Sequence, residues 1–158
     1  MNKRIAILAF LLAPMPGVLL AADDDLAVVV NKSNPVEGLT KAQLRKLVMG
    51  EQASWSAGKK VSVILRAPGQ PERDGVLRAI CGMSEEEFNQ HLMHADFNGD
   101  NAAPPKALGS GEGVRALVAS IPGGIGFLKT ADVNDSVKVV PVDGVSAGQP
   151  GYKIKAGK

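Results

Sequence analysis

Sulfur and aromatic rings are scarce in this 158-residue chain, which has one cysteine, one tryptophan, one tyrosine and four phenylalanines. A lone Cys81 excludes an internal disulfide framework, so the core has to hold together by packing alone. Two readings of that residue stay open: a small buried apolar side chain, or a thiol that pairs with another chain. With aromatics at 4%, alanine and the aliphatic residues must build the interior. No basic stripe interleaved with aromatic residues is present, which excludes the usual footprint of a nucleic-acid binder. No nucleophile elbow, dinucleotide fingerprint or phosphate-gripping loop with its Lys-Ser/Thr pair is found, so nothing argues for an enzyme or a nucleotide cofactor.

What is present begins with a three-part N-terminus. Lys3 and Arg4 precede an apolar run from Ile5 to Ala13. Pro14 and Pro16 break that run, and Ala21-Ala22 leads into Asp23-Asp24-Asp25. A basic end, a short apolar centre and small residues before a polar junction predict a cleavable signal peptide over 1–22, hence export to the periplasm. A membrane span needs about 20 uninterrupted apolar residues, and the two prolines argue against one. The whole chain carries 18 Lys and Arg against 16 Asp and Glu. Without Lys3 and Arg4 these become equal, so net charge singles out no partner.

Beyond the signal, one α/β domain is predicted over 23–143, followed by a Gly/Lys-rich tail over 144–158. Leu26-Ala27-Val28-Val29-Val30 reads as a strand covered on both faces. Thr40 and Gln43 have the spacing of a capping box, followed by an inward face of Leu44, Leu47 and Val48 and a stop at Gly50. Val61 to Leu65 is a second strand. Glu72 to Ile80 reads as a helix ending at Gly82, and Ser84-Glu87 is a second capping box opening a helix through Phe88 and Leu92. Ala95 to Gly109, with Pro104-Pro105, reads as loop. Ser110 to Ile121 is a helix, and Ile125–Leu128 and Val137–Val142 are the last strands. Strands separated by helices predict a mainly parallel sheet with helices packed on it.

The chemistry-bearing candidates are few. Arg66 closes the second strand, and Gln70 and Arg73 stand in the turn and helix that follow. Ligands gather at the carboxyl ends of strands in open α/β sheets, and a helix start with an arginine beside it suits an anion. The competing reading pairs Arg66 and Arg73 with Glu72 or Asp74 as ordinary surface residues. His91 and His94 have a spacing two metal ligands could use, but no third ligand accompanies them, which favours surface histidines. Asp96, Asn98 and Asp100 match the start of a calcium loop, yet Asn101 and Ala107 stand where its glycine and closing glutamate belong. No metal site is predicted.

Several stretches in order resemble phosphate-type substrate-binding proteins of bacterial ABC transporters. These are Val28-Val29-Val30-Asn31-Lys32-Ser33-Asn34-Pro35, then Leu39-Thr40-Lys41-Ala42-Gln43-Leu44, Gly50, Trp55 and Arg66, then Phe97-Asn98-Gly99 and Pro122-Gly123-Gly124-Ile125-Gly126-Phe127. The resemblance covers about Ala27 to Leu128. It implies one lobe of a type 2 periplasmic-binding-protein fold, a non-enzymatic role, a small oxyanion such as phosphate as ligand, and a membrane permease or another periplasmic protein as partner. It also exposes a departure. The family places Ser-Gly-Thr a few residues after the arginine, where this chain has Gln70-Pro71-Glu72. Proline donates no N–H and a glutamate repels a dianion. The expectations that follow are weak anion contact through Arg66, Gln70 and Arg73, or a protein-interaction module that kept the fold and lost phosphate, acting through its surface or by dimerising.

Overall fold

The computed structural model describes residues 24–95 and 102–158. The expected signal peptide and the Asp96–Asn101 turn lie outside them. Among the described residues five strands form one sheet: β1 (Leu26–Asn31), β2 (Ser62–Arg66), β3 (Lys106–Leu108), β4 (Gly124–Lys129) and β5 (Val137–Val140). Their spatial order is β3-β2-β4-β1-β5. Four α-helices accompany them: α1 (Lys41–Val48), α2 (Pro71–Val76), α3 (Glu85–His94) and α4 (Gly111–Ser120).

The α/β class with helices packed on a sheet is as expected, but the sheet is mixed. β2 pairs in parallel with β3 and with β4, whereas β1 runs antiparallel to both β4 and β5. In the parallel half, α2 and α3 join the neighbouring strands β2 and β3, and α4 then joins β3 to β4, which lies on the other side of β2. Helix α1 likewise links strands with one strand between them, β1 and β2 flanking β4, but these two run in opposite directions.

Alternation along β1 distributes its side chains to two cores, as the period of two in a strand requires. Leu26, Val28 and Val30 join the larger cluster with Leu44, Leu77, Phe88 and Phe127. Ala27 and Val29 face the other way, with Val114 and Val118 of α4. Helix α4 approaches closely because β4 offers no side chain there. A Cβ on Gly126 would lie 2.9 Å from methyl carbons of both Val114 and Val118.

Both capping boxes form. The Thr40 hydroxyl accepts from the Gln43 N–H and the Ser84 hydroxyl from the Glu87 N–H, each with the reciprocal bond. Each cap contributes about 1 kcal/mol. The helix expected from Glu72 to Ile80 is α2 followed by a π-helical turn, Leu77–Cys81, closed by Gly82 at φ 68°. The stretch read as loop up to Gly109 contains β3, a three-residue strand too short and too exposed to carry a hydrophobic signature.

Residues 144–158, set apart from the domain by composition, are packed onto it. Tyr152 and Ile154 are buried in the larger core. The Tyr152 hydroxyl donates to the Leu26 carbonyl at 2.6 Å, and the Leu26 N–H donates to Ile154 O at 2.9 Å. Lys155 meets the buried Asp25 carboxylate at 2.7 Å. Two apolar side chains among glycines and lysines are thus enough to anchor the segment.

Cys81 is buried in the same cluster, in keeping with its reading as an apolar core residue. Burial pushes its thiol up to about 11 from 9.0. At pH 8 the folded protein should hold about a hundredfold less thiolate than the unfolded chain, since only the ionised form reacts. Alkylation with and without denaturant should differ by at least that factor; equal rates would contradict the burial. The same shift weakens folding as pH rises from about 9 towards about 11, because the unfolded chain releases its proton first.

Candidate functional site

Strand β2 delivers Arg66 to its carboxyl end, beside the tight turn Ala67–Gln70 and the start of α2. The Gln70 N–H donates to Ala67 O at 3.3 Å, and Gly69 takes φ 83°. Pro71 fits the first position of α2, where a missing N–H costs nothing. This geometry holds Arg66, Gln70 and Glu72 together. Arg66 Nη2 donates to Gln70 Oε1 at 2.8 Å, and Arg66 Nη1 lies 3.7 Å from Glu72 Oε1. The two charged side chains are only 11% and 9% exposed. The pairing with Glu72 is the one the surface reading names, but it is largely withdrawn from solvent.

The start of α4 and the Asp132 carboxylate lie nearby. A Cβ on Gly111, the first residue of α4, would stand 2.8 Å from Asp132 Oδ2 and 3.7 Å from Arg66 Nη1. Gly111 therefore lets the start of α4, capped by Ser110, sit against both the arginine and a second carboxylate. Arg115 fixes that neighbourhood by donating to the Asp132 carbonyl. Asp132 lies far from Arg66 in sequence, and no motif announces it. Arg66 Nε is buried and has no hydrogen-bond partner among the described residues.

Arg73 is placed differently from Arg66 and Gln70. Its Nε and Nη2 donate to the two Glu85 carboxylate oxygens at 2.7 and 2.8 Å, its Nη1 donates to the Arg66 carbonyl at 3.3 Å, and its guanidinium lies 5.5 Å from the Phe88 ring centroid. This forked pair ties α2 to the start of α3 and leaves little of Arg73 for a ligand. Asp74, the other carboxylate of the surface reading, makes neither arginine's ion pair. His91 and His94 are not brought together as a pair. His91 Nε2 sits 2.9 Å from the Met49 carbonyl with its ring stacked on Phe88, while His94 is exposed. Among the described residues no three His, Cys, Asp or Glu side chains gather as metal ligands would.

The site is thus the carboxyl end of parallel strands, meeting a helix start and the largely buried side chain of Arg66, in a mixed α/β sheet. That combination defines the class no more finely than an α/β lobe with a mixed sheet. No family model matches the chain. Solved structures specify the likeness further, to substrate-binding proteins of phosphate ABC transporters. A putative phosphate ABC transporter substrate-binding protein with bound phosphate, from Clostridium perfringens, is similar with a TM-score of 0.68 at 25% identity, over 84% of this chain and 53% of its own. An ABC-type phosphate transport receptor from Vibrio cholerae gives a TM-score of 0.62 at 26% identity, over 76% of this chain and 46% of its own. PstS from Borrelia burgdorferi, at 16% identity, shares the fold with a TM-score of 0.64 over 85% of this chain and 55% of its own. The chain thus spans about half the length of the solved proteins it matches. The resemblance read from the Asn-Pro, Thr-Gln and Pro-Gly-Gly stretches stands. The neighbours are transport-binding proteins, and no helix among the described residues is long and apolar enough to cross a membrane.

Proposed function

We propose that the chain is an exported, non-enzymatic domain of the phosphate-type substrate-binding fold that works by contacting another protein, with its anion-site arginine taken up internally. The observation that carries this reading is the occupation of Arg66 by Gln70 at 2.8 Å and Glu72 at 3.7 Å. A solute dianion entering here would meet Glu72 and Asp132, and it would find Pro71 where an N–H donor is wanted. Like charges at such separations disfavour each other strongly when shielded from water. Export to the periplasm rests on the N-terminal reading over 1–22. A membrane permease or another periplasmic protein is the partner class the fold suggests.

A second reading, weak binding of a small oxyanion such as phosphate, draws support from one observation. The Arg66 Nε–H is buried without an acceptor among the described residues, and such a group gains from any acceptor that reaches it. Arg66 and Gln70 would serve that ligand, while Arg73 would stay with Glu85. Calorimetric titration of the mature domain with phosphate and with sulfate separates the two. Flat heats up to millimolar anion are expected. Saturable heat that disappears in Arg66→Ala would establish the oxyanion reading in place of the first.

A further inference from the structure

On the face of the sheet that carries α1 and α2, away from the residues around Arg66, the C-terminal segment encloses a cavity of about 400 Å³. Its lining is mostly apolar, with Val142, Val145 and Ile154 among the residues that form it. Its other walls bring together Lys41 from the first turn of α1, Arg78 from the π-helical turn and Lys153 from the C-terminal segment. The size falls within the range of small-molecule sites, which are mostly apolar with a few placed polar groups.

The charge around this cavity is one-sided. All three cationic residues are exposed, and none of their side chains makes a hydrogen bond or ion pair among the described residues. The single carboxylate in the lining, Asp143, is already engaged: its Oδ1 accepts from the Lys41 backbone N–H at 3.2 Å. Asp143 is held there by the left-handed turn it makes with Gly144, at φ 50° and 79°. An adjoining depression shares Arg78, Ala79 and Lys153 and adds Lys155 and Lys158, so the positive field continues past the cavity's rim. Lys155 among these is paired with Asp25.

We infer that this cavity is a binding site for a small amphipathic organic anion, with an apolar ring or branched chain against Val142, Val145 and Ile154 and a carboxylate or sulfonate held by Arg78 and Lys153. Apolar walls select against a bare inorganic anion, which would gain nothing from them. Three cations facing one engaged carboxylate select against a neutral or cationic guest. Arg78 supplies a planar fork suited to a carboxylate or sulfonate, and Lys41 and Lys153 supply point charges. The site shares no residue with Arg66, Gln70 and Glu72, so the inference stands whether or not those residues bind phosphate.

Naphthalene-2-sulfonate tests it, with 2-naphthol at pH 7 as the neutral counterpart and inorganic phosphate as the bare anion. Binding of the sulfonate is expected to saturate at one per chain and to be at least tenfold tighter than that of 2-naphthol. Arg78→Glu combined with Lys153→Glu should weaken it at least tenfold, and Arg66→Ala should leave it unchanged. Both charge reversals fall at exposed positions, and the melting temperature checks that the fold persists. Amide shift mapping on the unaltered protein needs no variant and should confine the perturbation to Ala79, Val145 and Ile154 and their neighbours. The inference is overturned by unsaturable binding at millimolar sulfonate, by equal binding of 2-naphthol, or by shifts located elsewhere.

Discussion

Replacing Arg73 by alanine is expected to destabilise the domain by about 3 kcal/mol, read as a lower urea midpoint with an unchanged slope. The side chain is 5% exposed and its partner Glu85 is 25% exposed. Deletion would leave a carboxylate without its fork, the Arg66 carbonyl without a donor, and Phe88 without the cation beside its ring. Removing one member of a largely buried pair costs far more than the net strength of the pair, because the remaining charge is left desolvated. Lysine should recover only part of the loss, since a point charge cannot reproduce two parallel hydrogen bonds. A midpoint that barely moves in Arg73→Ala would mean that α2 and α3 are not tied through this residue, and would return Arg73 to the pool of ligand candidates.

Gly75→Ala is expected to cost more than about 3 kcal/mol, at the upper end of what overpacking produces. A Cβ at that position would lie 2.0 Å from the Lys155 carbonyl oxygen and 2.8 Å from Ala156 Cα. These are backbone atoms and cannot swing aside as a side-chain end could. The C-terminal segment would have to lift, breaking the bonds from Ala156 N–H to Asp24 O and from Gly157 N–H to Pro71 O and loosening Tyr152 and Ile154. Hydrogen exchange at Leu26, Ala156 and Gly157 should therefore accelerate along with the global loss. Gly109→Ala is the control: nothing lies within 4 Å of its Cβ, and it should change stability by less than about 1 kcal/mol. Equal effects of the two substitutions would show that residues 144–158 are not docked against α2.

How far these features were legible differs from residue to residue. Local signals translated directly. The valine run of β1 is buried throughout, and Thr40 and Ser84 cap the helices their spacing announces. Arg66 stands at the end of its strand beside a helix start, as strand order and turn chemistry implied. Strand direction was less accessible, because a helix between two strands does not fix their direction when a third strand separates them: α4 joins β3 and β4 across β2 in parallel, while α1 joins β1 and β2 across β4 in opposite directions. The partners of the site were the least accessible. Glu72 was visible as a neighbour of Arg66, but nothing in the sequence chooses Glu85 over Asp74 for Arg73. Asp132 reaches the site only because Gly111 lets α4 come close. Such contacts depend on tertiary distances that no periodicity encodes. Tyr152 and Ile154 illustrate the same limit, since a composition dominated by glycine and lysine hides two side chains that complete the core.

Arg66 is either held by its own chain or kept ready for a solute, and its Nε–Hε resonance reports on this directly. In the wild-type domain that signal should be slow to exchange and should stay in place as phosphate is raised to millimolar concentration. A saturable displacement of the resonance by phosphate would contradict the account and restore Arg66 as a working anion ligand.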